Sequence, residues 1–136
     1  MFCLMNLSQQ ANEFRKAFNV INSTHKSDFQ FTLIEEEFRE FTEAHLKLGT
    51  YEGSESDALK ELADLVYVIF QYSENLEWDL LEALRRVHES NMSKLDDEGN
   101  PIYREDGKVL KGPNYKPPFL DDLFSHGPFA SPFGFH

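Results

Sequence analysis

The stretch "ALKELADLVYVIF", residues 58–70, constrains the fold of this chain more than any other. At helical spacing, Leu59, Leu62, Ala63, Leu65, Val66, Ile69 and Phe70 cover most of the circumference. They leave a narrow wedge for Lys60, Glu61, Asp64 and Gln71. A helix that is apolar on most sides needs neighbours on most sides. With 136 residues the chain reads as one domain with a modest core, too small to supply all those neighbours easily. The expected architecture is therefore all-α, a four-helix-type bundle completed by a second subunit. Glu61 and Asp64 lie one turn apart within this apolar helix. An ionised carboxylate buried without a partner is very unfavourable, so solvent, a basic partner or a metal ion must resolve the conflict.

The rest of the chain fits a bundle. Residues 7–21 place Leu7, Ala11, Phe14 and Phe18 at helical spacing and predict a first helix. Residues 22–28 read as a polar loop, with Asp28 as the N-cap of a second helix over 29–48. Its apolar stripe is Ile34, Phe38, Phe41 and Leu48. "GTYEGS" breaks the pattern, and Ser54 is positioned to cap a third helix over 55–73. A fourth helix begins around Trp78, with Asp79 and Glu82 at capping-box spacing, and ends near Lys94. Asp106-Gly107 between short extended segments predicts a β-hairpin, and "KGPNYKPPFL" holds too much proline for a helix. Residues 1–120 thus read as the domain, and 121–136 as a Phe/Gly/Pro-rich extended tail.

Two acidic pairs stand out. Glu37 and Glu40 share a face of the second helix, with Glu36 one turn before Glu40. Glu61 and Asp64 repeat the three-residue spacing on the third. If the two helices pack antiparallel, the pairs converge and repel unless neutralised. Magnesium or manganese accepts oxygen ligands, removes that repulsion and activates water at a phosphoryl centre. The bland alternatives are a solvated glutamate face, or salt bridges from Arg39 or Lys60.

Near the end of the fourth helix, His88, Asn91 and Lys94 recur at i, i+3 spacing, and beyond it Arg104, Lys108, Lys111, Tyr115 and Lys116 give a locally basic segment. Asn91 and Lys94 suit phosphate, Lys108 and Lys111 suit a polyphosphate, and Tyr115 suits a base. Each also reads as ordinary amphipathic surface.

The formal net charge is −11, from 24 acidic and 13 basic residues. That argues against a DNA or RNA duplex as partner, which needs clustered cations. Cys3 is the sole cysteine, so an internal disulfide or zinc–cysteine site is excluded and a reducing compartment is expected. No HExxH, GxxxxGKS/T or GxGxxG pattern occurs, which argues against zinc-protease, P-loop and Rossmann chemistry. No apolar run reaches 18 residues, so no membrane span is expected. The N-terminus lacks the basic region of a signal peptide.

The pattern "EEFRE" (Glu36 to Glu40), a twenty-residue spacer and "ELAD" (Glu61 to Asp64) resembles the EExxE…ExxD signature of the MazG-type all-α nucleoside triphosphate pyrophosphohydrolases. "RRVHESNMSKL" and "DGKVLKGPNYKPP" are similar to segments of bacterial and phage members. The resemblance covers roughly residues 7–120. It implies hydrolysis of a nucleoside or deoxynucleoside triphosphate to monophosphate and pyrophosphate, with Mg2+ replaceable by Mn2+, in a homodimer or homotetramer. It implies Glu37, Glu40, Glu61 and Asp64 as metal ligands, Glu36 as a metal ligand or water-orienting acid, and Asn91 and Lys94 near the phosphates. It also implies a cytoplasmic location, the host's if the protein is phage-encoded, and one phage branch suggests dGTP as substrate. The rival expectation is a non-catalytic helical oligomer that binds nucleotide or a partner protein.

Overall fold

The computed structural model describes residues 5–124. Cys3 and the tail from Ser125 onward lie outside the described residues. The described residues form four α-helices and no strand, an all-α architecture. They divide into two compact units, residues 5–78 and 79–124.

The first unit holds α1 (Leu7–Ala17), α2 (Ser27–Leu46) and α3 (Glu55–Asn75). Asn6 starts α1 through a capping box, its side chain accepting from the Gln9 backbone amide at 2.8 Å while the Gln9 side chain accepts from the Asn6 backbone amide at 2.9 Å. The apolar period runs on to Ile21, yet the helix stops at Ala17. Asn19 adopts φ +55°, a left-handed conformation that Asn tolerates and that turns the chain back. The Val20 amide then closes on the Arg15 carbonyl at 2.8 Å.

Asp28 does not cap α2. Ser23 caps a short 3₁₀ turn, Thr24–Lys26, which runs directly into α2 at Ser27. Asp28 sits instead in the first turn, where its charge suits the positive end of the helix dipole. Ser54 caps α3 as expected, accepting from the Asp57 amide at 3.0 Å. The helix runs two residues past its expected end and closes where Glu77 turns to φ +58° and the Trp78 amide bonds the Ser73 carbonyl at 3.0 Å.

The interior of this unit is unusually polar. Ala11, Ala58, Phe70 and Leu76 are its buried apolar residues, beside buried Arg15, Gln30, Gln71, Ser73 and Asn75. The Arg15 guanidinium donates to Asn22 (2.7 Å), Gln71 (3.1 Å) and Asn75 (2.9 Å), tying α1 to α3. Asn75 also accepts from the Ser23 amide (3.0 Å) and donates to its carbonyl (2.8 Å), fixing the loop that launches α2. Burial holds the Arg15 pKa below its ordinary value, against the opposing charge of Glu74.

The second unit is built on α4 (Leu80–Met92). Asp79 accepts from the Glu82 amide at 3.1 Å. The Glu82 carboxylate turns to Arg85 and Arg86, each at 2.7 Å. Those guanidiniums hold its carboxyl down to about 2. Arg86 also reaches the Phe119 carbonyl (3.0 Å) and Asp122, fastening the proline-rich segment to the helix. Around Asp106-Gly107 the chain reverses, with Gly107 at φ +91° and one antiparallel bridge between Tyr103 and Val109.

Among the described residues no helix is long and apolar enough to cross a membrane.

Candidate metal centre

The acids of the first unit come together because α2 and α3 pack side by side after the short turn Lys47–Ser54. The turn closes tightly at Gly53, where an added Cβ would lie 2.2 Å from the Lys47 carbonyl oxygen. Only a residue without a side chain permits that approach. Across the seam Glu37, Glu61 and Asp64 each offer an oxygen within 4.8 Å of the others, and all three are half-buried.

Glu37 bears the strain. Its carboxyl is raised from 4.5 to about 7, first by burial, then by a hydrogen bond with Glu40 and by the charges of Glu40, Asp64 and Glu61. Glu37 Oε2 and Glu61 Oε2 are cut off from solvent and have no hydrogen-bond partner. Lys60, 66 % exposed, approaches from outside, 2.7 Å from Asp64 and 3.5 Å from Glu61. The salt bridge foreseen from the sequence therefore exists, but it leaves those two inner oxygens unserved. Two carboxylate oxygens with neither water nor donor, facing a third acid, form an oxygen-rich set suited to a hard divalent cation.

The other expected residues are placed as follows. Glu40 touches Glu37 but is not one of the three converging acids. It lines a groove of about 370 Å³ that also includes Glu43, Lys47, Glu52, Asp57 and Glu61. Glu36 is exposed on α2, as is Arg39. Asn91, Lys94, Lys108, Lys111 and Tyr115 belong to the second unit. There Asn91, Lys108 and Lys111 are exposed and Lys94 is half-buried. The Lys111 ammonium lies 4.8 Å from the Tyr115 ring centre, a cation–π contact.

Two residues of this region were not singled out from the sequence. Gly53 read only as a helix breaker. Gln30 carried no assignment, and it is the buried residue of α2. Its place seven residues before Glu37, on one helix face, was the available signal.

No protein-family model matches the chain, and no curated protein matches it in sequence.

Proposed function

We propose that this chain hydrolyses a nucleoside or deoxynucleoside triphosphate to the monophosphate and pyrophosphate, with a divalent cation held by Glu37, Glu61 and Asp64. The observation that carries this reading is the convergence of Glu37 on α2 with Glu61 and Asp64 on α3, where Glu37 and Glu61 each keep one buried, unpartnered oxygen. Glu40, in contact with Glu37, completes the acidic set.

When bound, Mg2+ or Mn2+ supplies Lewis-acid polarisation of phosphoryl oxygen and neutralises the clustered charge. The protein's own groups do the rest. The water oxygen bonds to the α-phosphorus, the bond from that phosphorus to the α–β bridging oxygen breaks, and pyrophosphate leaves. The water's proton passes to a carboxylate, and exposed Glu36, next to Glu37, is the acid assigned to orient the water and take it. Lys94, Lys108 and Lys111 are the basic groups assigned to offset polyphosphate charge. Attack at the α position, and dGTP as the favoured substrate, rest on the resemblance to MazG-type enzymes.

Assembly as a homodimer or homotetramer draws support from uncovered apolar surface. Phe38 and Leu59 are 58 % and 67 % exposed, on helices whose neighbouring turns carry the acids. The same surface is what favours the second reading, a non-catalytic helical oligomer.

Product analysis separates the two. The protein is incubated with each NTP and dNTP, with Mg2+ or with chelator, and the products are resolved by ion exchange. Metal-dependent monophosphate and pyrophosphate are expected, with turnover lost in Glu61→Ala and Asp64→Ala variants that keep wild-type helicity and size. Diphosphate with orthophosphate overturns α-attack, and turnover unaffected in both variants overturns the metal centre.

A further inference from the structure

Among the described residues Lys60 is the one cation in ion-pair contact with the acids at the α2–α3 seam. Its ammonium lies 2.7 Å from Asp64 Oδ2 and 3.5 Å from Glu61 Oε1. The other oxygen of Glu61, Oε2, is buried and unpartnered, and Glu37 Oε2 is in the same condition. Lys60 therefore holds the outer side of the cluster and does not serve the inner side. Stability alone does not account for the bridge, because an ion pair with so exposed a lysine contributes little.

The same carboxylates cannot serve an ammonium and a divalent cation equally well. A cation ligated by Glu61 Oε2 and Asp64 would stand within about 6 Å of an ammonium still bonded to the outer oxygens. The two positive charges repel and draw on the same acids, so binding of one loosens the other. Valence then decides which cations displace the lysine. Lys60 is tethered one helical turn before Asp64 and meets it at high effective concentration. Na+ or K+ brings the same single charge without that tether and gains nothing by exchange. Mg2+ or Mn2+ brings twice the charge to an oxygen set more negative than one ammonium neutralises. The way in is open. The side chains of Asp64 and Glu61 are 38 % and 21 % exposed, and Glu61 lines the groove of about 370 Å³ at the α2–α3 turn.

We propose that Lys60 is a built-in competitor at the cation site: its ammonium is the counter-ion of Asp64 and Glu61 in the absence of a divalent ion, excludes monovalent cations, and is displaced when a divalent cation binds. This deepens the hydrolase reading above, resting on its cation site and not on its substrate or its point of attack. Lys60 is thus a positioning residue that sets the affinity and valence selectivity of the site through the acids it holds.

The test needs no nucleotide. Binding of Mg2+ and Mn2+ to the full chain is measured by calorimetry in wild type, Lys60→Met and Lys47→Met. Lys47 lines the same groove but forms no ion pair with Asp64 or Glu61 among the described residues, so K47M removes an equal charge without removing the competitor. Titrations are run at equal ionic strength in sodium chloride or in tetramethylammonium chloride, whose cation is too bulky to enter. K60M is expected to bind Mg2+ at least about fivefold more tightly than wild type, and K47M to gain less than about twofold. Sodium should weaken Mg2+ binding relative to tetramethylammonium in K60M and not in wild type. Nitrogen-15 NMR of the lysine side chains reads the displacement itself: the Lys60 ammonium signal, identified by its loss in K60M, should move toward those of free lysines as Mg2+ is added. Lys60→Gln replaces K60M if circular dichroism shows that the latter unfolds.

Mg2+ affinity that is unchanged or weaker without the Lys60 ammonium, or raised as much in K47M, overturns the competition. Sodium and tetramethylammonium acting alike in K60M overturn the exclusion of monovalent cations. Either result leaves the hydrolase reading standing where wild type turns over a triphosphate. Lys60-dependent Mg2+ binding by a chain that hydrolyses no NTP or dNTP overturns the hydrolase reading and keeps the competition. Absence of Mg2+ binding in wild type and K60M alike overturns both.

Discussion

Glu37→Gln is the perturbation that bears most directly on the metal centre. The Glu37 carboxyl stands at about 7 instead of 4.5 because burial desolvates it and Glu40, Asp64 and Glu61 crowd it. An acid whose pKa is higher folded than unfolded holds its proton more tightly in the folded state. Between about pH 4.5 and 7 the folded chain therefore binds more protons than the unfolded one, and stability falls as pH rises through that window. The full shift corresponds to about 3 kcal/mol, and solvent screening at this half-buried site reduces it to about 1–2 kcal/mol. Glutamine has the shape of the protonated acid and no charge. At about pH 8 in chelator, E37Q should therefore be more stable than wild type by about 1–2 kcal/mol, with the difference vanishing near pH 4.5. A divalent cation binds the ionised form, so Mg2+ should stabilise wild type more at about pH 8 than at about pH 5, and E37Q much less at either. Urea unfolding followed by far-ultraviolet circular dichroism, at both pH values with chelator or Mg2+, reads all of these. If E37Q loses stability with rising pH as wild type does, and responds to Mg2+ as wild type does, the reasoning about this cluster is wrong.

Three further outcomes follow from particular contacts. Asn75→Ala removes the acceptor of Arg15 and both bonds to Ser23, and should lower stability by about 3 kcal/mol in urea unfolding because a buried guanidinium N–H and two backbone groups lose their partners. Gly53→Ala would drive a Cβ to 2.2 Å from the Lys47 carbonyl oxygen. The turn must open, so a lower melting temperature and weaker Mg2+ binding by calorimetry are expected together, and an unchanged melting temperature would contradict the close approach. Glu82 is held at about 2 by hydrogen bonds from Arg85 and then Arg86. Its folded pKa lies below its unfolded one, so its contribution is present above about pH 4.5 and is lost as pH falls toward 2. Glu82→Gln should flatten that acid limb in a pH titration of helicity and leave the neutral range unchanged in slope.

Legibility in the sequence followed the range of the physics involved. Ser54 and Asp79 were readable as caps because a cap involves residues three apart. The pairing of Glu61 with Asp64 was readable for the same reason. The convergence of Glu37 on them was legible only conditionally, since it depends on α2 and α3 packing antiparallel. What failed needed tertiary partners. The end of α1 was misplaced because Asn19 and the return of Asn22 to Arg15 outweigh an apolar period that continues to Ile21. The apolar stripe of α2 was read through Phe38, yet Phe38 is 58 % exposed and the buried position is Gln30. Hydropathy marks which side chains avoid water. It does not mark which face meets α3, and here that face carries an amide and a carboxylate.

That inversion separates the two halves of α3. Its C-terminal half buries Gln71, Ser73 and Asn75, and each has partners: Arg15 and the Ala11 carbonyl for Gln71, the Trp78 carbonyl for Ser73, Arg15 and Ser23 for Asn75. A satisfied polar network of this kind fixes one arrangement of α1 against α3 and resists slippage. About three turns earlier, Glu61 leaves one oxygen unserved beside Asp64 and Glu37. The same helix therefore satisfies its polar groups with protein where α1 covers it, and leaves them unsatisfied where α2 covers it. If the acids were only structural, the amides that serve the first half would serve the second equally well and at lower electrostatic cost. Repulsive carboxylates at the α2–α3 seam, next to a polar network that is fully satisfied, are the contrast on which the proposed cation site rests.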